Sequence, residues 1–194
     1  MTDSLISTAR LTESDRLTPP PGTFEIDPVH TFVTFRAQHL VVGRVRGSFQ
    51  SFAGTITVDE DLLRSHVEVS IDAASVTTHM PMRDDDLRSS NFLDVANHPQ
   101  LTFRSSAITQ LPSGKWSVTG DLTIRGVTVT TELLVEFGGA VQDPFGNLRI
   151  AFHATTTISR RDFGLVYDLE HQGGHLHIAR DVAIEIDAEA VHPL

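Results

Sequence analysis

The chain has 194 residues, 40% of them hydrophobic and 21% charged, with 25 acids against 15 bases and a formal net charge of -10. That suits one globular domain with a sizeable interior, and its field repels phosphate backbones and anionic surfaces, which excludes nucleic acid as a partner. With no cysteine, disulfides, thiolate nucleophiles and cysteine-based zinc sites are excluded too.

Residues 1–22 carry scattered charges of both signs and end in Pro19-Pro20-Pro21-Gly22, which stops a helix before the first strand. They read as a flexible tail, with a helix over residues 3–16 packed on the body as the alternative. They hold no apolar run of secretory-signal length, and no stretch approaches the roughly 20 apolar residues of a membrane helix. The expected location is cytoplasmic.

From residue 23 onward apolar and polar residues alternate, the pattern of half-buried strands. In "HTFVTFRAQHL", Val33, Phe35, Ala37 and His39 share one face, opposite Thr34, Arg36 and Gln38. "GRVRGSFQSFAGTITVD" aligns Val45, Gly47 and Phe49, then slips by one so that Phe52, Gly54, Ile56 and Val58 align. Such a slip predicts a β-bulge, with Gly54 permitting the bend. "SHVEVSIDAASV" follows with Val67, Val69, Ile71 and Ala73.

The segment "TTHMPMRDDDLRSSNFLDVANHP" breaks the alternation. Pro81 precedes a run with acids first and Arg88 last, which predicts a short amphipathic helix over about residues 82–92. It would lay Leu87, Phe92 and Leu93 on the body, pair Asp84 with Arg88 one turn on, and leave the three aspartates in water. A metal site is the alternative, but adjacent helical residues splay by about 100° and do not clasp one ion together.

Beyond the helix come Leu101 and Phe103, then a hairpin turning near Arg125-Gly126. Its arms carry Trp116, Val118, Leu122 and Ile124 before the turn, and Val127, Val129, Leu133, Val135 and Phe137 after it. Ile150, Phe152, Ala154, Thr156 and Ile158 form the next row, and Val182, Ile184, Ile186 and Ala188 the last. About eight long strands with one apolar face must meet a second sheet or close on themselves. Small inner residues (Ala37, Gly47, Gly54, Ala73, Ala154, Thr156) favour closure around a lumen. A packed sandwich is the alternative.

Six ordered blocks resemble the YceI-like family, described as polyisoprenoid-binding and lipocalin-like. They are "DPVHTFVTFRAQHL", "VRGSFQSFAGTI", "RDDDLRSSNFLDV" with "HPQLTFRS", "VTGDLTIRGVT" and "ISRRDFGL", and the match runs from about residue 25 to 190. The resemblance implies an all-β, eight-stranded antiparallel barrel over residues 23–192, with an apolar channel holding a polyprenyl chain and the helix lying beside it. It also implies a homodimer. Asp86 stands where the family usually has histidine.

The leading expectation is therefore non-catalytic binding, transport or storage of a long polyisoprenoid lipid, with no cofactor beyond that ligand. Its lining would come from Val33, Phe35, His39, Val45, Phe49, Val69, Ile71, Leu87, Phe92, Phe103, Leu122, Leu133, Val135, Phe152 and Ala154. Arg160 and Asp162 would bind a head group or pin a strand end as an ion pair. A second possibility is metal binding: "HQGGHLH" brings His171, His175 and His177 close together, with no nucleophile or general base in attendance. A third is a ligand-free stress-response module with a filled barrel.

Overall fold

Strands apolar on one side must bury that side, and the computed structural model, which describes residues 18–40, 42–168, 170–171, 175–176 and 178–192, does so by closure. The first stave is β1 (Gly22–Ile26) continued by β2 (Phe32–His39), and the second is β3 (Gly43–Phe49) continued by β4 (Phe52–Val58). The third is β5 (His66–Asp72) with the short β6 (Val76–Thr77), and then comes the helix α1 (Pro81–Arg88). The other staves are β7 (Gln100–Gln110), β8 (Trp116–Ile124), β9 (Val127–Gln142), β10 (Leu148–Ser159) and β13 (Ile178–His192). Before the last lies a small ribbon, β11 (Glu170–His171) with β12 (His175–Leu176).

Each stave pairs antiparallel with the next, and β13 returns to pair with both β1 and β2. Eight staves thus close into an up-and-down barrel, which settles barrel against sandwich. The β8–β9 hairpin turns where expected, on Arg125 (φ 50°) and Gly126 (φ 73°), the paired positive φ values of a type I′ turn. Up-and-down order gathers the β2–β3 turn, α1, the β8–β9 turn and the segment 160–168 at one end, here the helix end. The loops β4–β5, β7–β8 and β9–β10 lie at the other.

The predicted phase slip is real, but Gly54 is not the bend. The second stave breaks at Gln50-Ser51, where Gln50 N–H donates to the Ser75 carbonyl and the Ser51 carbonyl accepts from Asp72 N–H. Gly54 instead marks a close approach: a Cβ there would lie 2.3 Å from the Glu68 carbonyl oxygen. Two further register shifts, near Ser106 in β7 and Gly138 in β9, keep the apolar rows pointing inward along staves too long for one unbroken register.

The small inner residues do not all leave space. A Cβ on Gly47 would meet the Phe35 ring at 2.4 Å, and Ala73 is fully buried in a cluster with Val76, Leu93 and Phe163. Ala37, Ala154 and Thr156 do face the hollow. A second cluster, Phe24, Ile56, Ile150 and Ala190, packs the barrel toward the opposite end, and a third groups Trp116, Val118, Val135 and Ala154. Among the described residues no helix is long and apolar enough to cross a membrane.

Candidate functional site: the barrel cavity

Between these clusters runs a cavity of about 810 Å³, toward the upper end of the roughly 300–1,000 Å³ usual for small-molecule sites. Every residue expected to face a ligand stands on its wall except Asp162. Val33, Phe35 and His39 come from β2, Val45 and Phe49 from β3, Val69 and Ile71 from β5. Leu87 comes from α1 and Phe92 from the turn after it. Phe103, Leu122, Leu133, Val135, Phe152 and Ala154 complete the far side along β7 to β10, and Arg160 lies at the helix end. The β13 residues Ile184 and Ile186 belong to the wall as well, as their alternation allowed. Trp116, the sole tryptophan, also lines it and so reports on the interior. Met80, Met82, Arg83 and Asp86 complete the mouth, with no periodic signal to place them.

α1 is shorter than expected, and its charges do not all face water. Asp84 is buried: its carboxylate accepts from the Thr78 amide (2.7 Å), the Thr78 hydroxyl (2.5 Å) and the Thr77 hydroxyl (2.9 Å). Arg88 consequently pairs at 3.3 Å with the exposed Asp85 and donates to the Ala74 and Val76 carbonyls. Arg83 donates to the Thr78 hydroxyl and carbonyl. Side-chain bonds thus fix α1 to the β6 edge, where Leu87 and Met82 line one side of the barrel's mouth. Only Asp86 of the three faces the mouth, accepting from the Asn91 amide at 2.9 Å.

Burial pushes the Asp84 carboxyl up, but the bonds from Thr78 and Thr77 outweigh it and hold the group below the ordinary carboxylate range. A depressed folded-state pKa means the stabilisation is present above that range and is lost as pH falls through the folded value. Asp84→Ala is expected to cost about 1–3 kcal/mol, because the Thr78 N–H and two hydroxyls lose their acceptor. Urea titration reads the loss at pH 7, and the gap to wild type narrows as the medium is acidified below the carboxylate range.

Arg160 is 3% exposed and donates to the carbonyls of Leu165, Tyr167, Ile178 and Ala179. Its acid partner is Asp168, shared with Arg161, and Arg160 first and then Arg161 hold that carboxyl below its ordinary range. Asp162 is exposed and off the wall, so the expected Arg160–Asp162 pair is replaced. The reason is local: Arg160–Phe163 form a 3-10 turn ended by Gly164 at φ 73°, which reverses the chain and brings Asp168 back to the guanidinium.

His177 and the side chains of His171 and His175 lie outside what the structure describes. Among the described residues, Asp27, His30 and Glu189 do bring metal-ligating atoms within 4.8 Å of one another. A guanidinium already fills that role: Arg149 Nη1 is 2.7 Å from Asp27 and 3.3 Å from Glu189, and its Nε is 3.0 Å from Asp143. Arg149 above all, then His30, holds the Asp27 carboxyl far below its usual range. The Asp27 side chain also caps Val29 N–H, so "DPVH" is a turn that joins β1 to β2.

The eight-stave barrel with one short helix beside its mouth has a fold shared by known proteins. The crystal structure of Burkholderia cenocepacia BcnA is similar at 25% identity, covering 85% of this chain and 99% of that one, with a TM-score of 0.72. A polyisoprenoid-binding domain from Saccharophagus degradans implicated in plant cell wall breakdown shares the fold, at 15% identity, 88% and 98% coverage and a TM-score of 0.61. Protein YceI of Escherichia coli O157:H7 is 40% identical over 141 residues, 72% of this chain and 73% of its own. The YceI-like domain model matches residues 24–190, all eight staves and the helix between them, and the chain belongs to that family.

Proposed function

We propose that the protein binds and carries or stores a long-chain polyisoprenoid, a polyprenyl or quinone-like tail, without transforming it. The observation that carries this reading is the cavity itself: about 810 Å³, bounded almost throughout by aliphatic and aromatic side chains. The likeness to a polyisoprenoid-binding domain supports the ligand class. Fifteen prenyl carbons at about 0.8 kcal/mol each contribute roughly 12 kcal/mol gross. Association costs of several kcal/mol leave an affinity in the micromolar range or tighter. Three charged groups at the wall favour holding over chemistry, since Arg160 and Arg83 are engaged with the protein's own carbonyls, hydroxyls and acid, and Asp86 accepts from the Asn91 amide. The residues on the wall, from Val33 and Phe35 to Phe152 and Ala154, are the proposed contacts.

Organic extraction of protein purified from its native host, followed by mass spectrometry, is expected to release a polyprenyl species at near one equivalent. Recovery of nothing lipidic, from protein that still binds no added polyprenol, would end this reading. The protein is further proposed to act as a homodimer, which sedimentation equilibrium tests through a mass twice the chain's 21.3 kDa.

A further inference from the structure

Turns that cap a barrel are ordinarily polar, and at the helix end several carry exposed apolar side chains among the polar ones. Met80 and Met82 line the cavity yet are exposed, Met82 by 77%, so the apolar interior reaches solvent between them. At the same end Val42 is 93% exposed on the β2–β3 turn and Val166 61% exposed after the Arg160 turn. Tyr167 packs edge-on against Phe92 with ring centroids 5.5 Å apart, and Phe92 is cavity wall, so rim and bore are one continuous apolar surface. Exposed apolar patches of this kind mark interaction sites.

Charge distinguishes the two ends. In the helix-end segments Arg83, Arg88, Arg125, Arg160 and Arg161 nearly balance Asp84, Asp85, Asp86, Asp94, Asp162 and Asp168. The loops of the opposite end carry an acid excess, Asp59, Glu60, Asp61 and Asp143 against Arg64 and Lys115. A net charge of -10 makes the whole molecule a poor match for an anionic surface. A rim of nearly balanced charge with protruding apolar tips fits a surface with no net charge better than an anionic one.

We propose that this rim docks on a zwitterionic lipid bilayer, with Val42, Met82 and Val166 seated at the boundary between head groups and acyl chains. The inference rests on the lipid-binding reading of the cavity. An isoprenoid would then pass between bilayer and bore without exposing its hydrocarbon to water.

Flotation of the full chain with phosphatidylcholine vesicles tests it. The wild type is expected to float with the vesicles, and Val42→Asp combined with Val166→Asp to lower the partition coefficient at least tenfold. Phe145→Asp, at an 87% exposed site on the β9–β10 turn of the opposite end, is expected to leave it within twofold. Neither Val42 nor Val166 is cavity wall, so geranylgeraniol binding without vesicles, read by Trp116 emission, stays unchanged in the double variant. Absence of that binding in the wild type would sink the cavity reading, whereas failure of the wild type to float would sink the docking alone. The docking is equally overturned if Phe145→Asp loses as much, if only anionic phosphatidylglycerol vesicles bind, or if the double variant turns a dimer into monomers.

Discussion

Ala154→Phe is expected to weaken polyprenol binding by about a thousandfold while leaving the free protein folded with little change in melting temperature. Ala154 pairs with Val135 and Ile186 across β9 and β13 and faces the cavity near Trp116. A benzyl group there occupies the space of about one prenyl unit. Five carbons at about 0.8 kcal/mol each come to roughly 4 kcal/mol, or three powers of ten in affinity. The melting temperature gives an independent reading of the same geometry. In a solid interior the added ring costs about 1–3 kcal/mol through strain, whereas in a hollow it finds room. Calorimetry of the ligand-free variant therefore tests the hollow even before a ligand is added.

Arg160→Met is expected to be the most destabilising single change, by about 3–5 kcal/mol, since it leaves a largely buried carboxylate without its principal counter-ion. Asp168 would keep only Arg161, and the carbonyls of Leu165, Tyr167, Ile178 and Ala179 would lose their donor together. At roughly 2–4 °C per kcal/mol for a chain of this size, the melting temperature falls by about 6–20 °C. Acid acts on the same contact. The Asp168 pKa is depressed in the folded state, so its contribution is complete above the ordinary carboxylate range and fades as pH drops through the folded value. The stability difference between Arg160→Met and wild type should accordingly shrink in strong acid. A variant that melts with the wild type at pH 7 would show that the guanidinium network carries no stability.

The wall of the bore was legible because alternation is a local code. Once Phe35, Phe103, Leu133 and Phe152 occupy alternate positions, closure can only turn them inward, and they line the cavity. Register shifts were partly legible: the slip in the second stave shows in its apolar phase, while those near Ser106 and Gly138 show only in the pairing. The charged residues were legible least, because their partners are set by chain reversal. Nothing within α1 announces that Asp84 will meet Thr77 and Thr78, which lie before the helix begins. Asp162 is nearer to Arg160 in sequence than Asp168, yet the left-handed Gly164 makes the farther acid the neighbour. Glycine misled in another way: Gly47 and Gly54 suggested emptiness and instead admit the Phe35 ring and the Glu68 backbone.

A chain-length series of all-trans polyprenols, titrated into delipidated protein and followed by Trp116 emission, tests the hollow most directly. Staves such as the 12-residue β10 span roughly 30 Å along a barrel axis. Saturable one-to-one binding should therefore tighten with each added unit until the bore is filled, then level off. A Trp116 signal that stays unmoved at every chain length would mean that the barrel takes up no isoprenoid, and the account would fail.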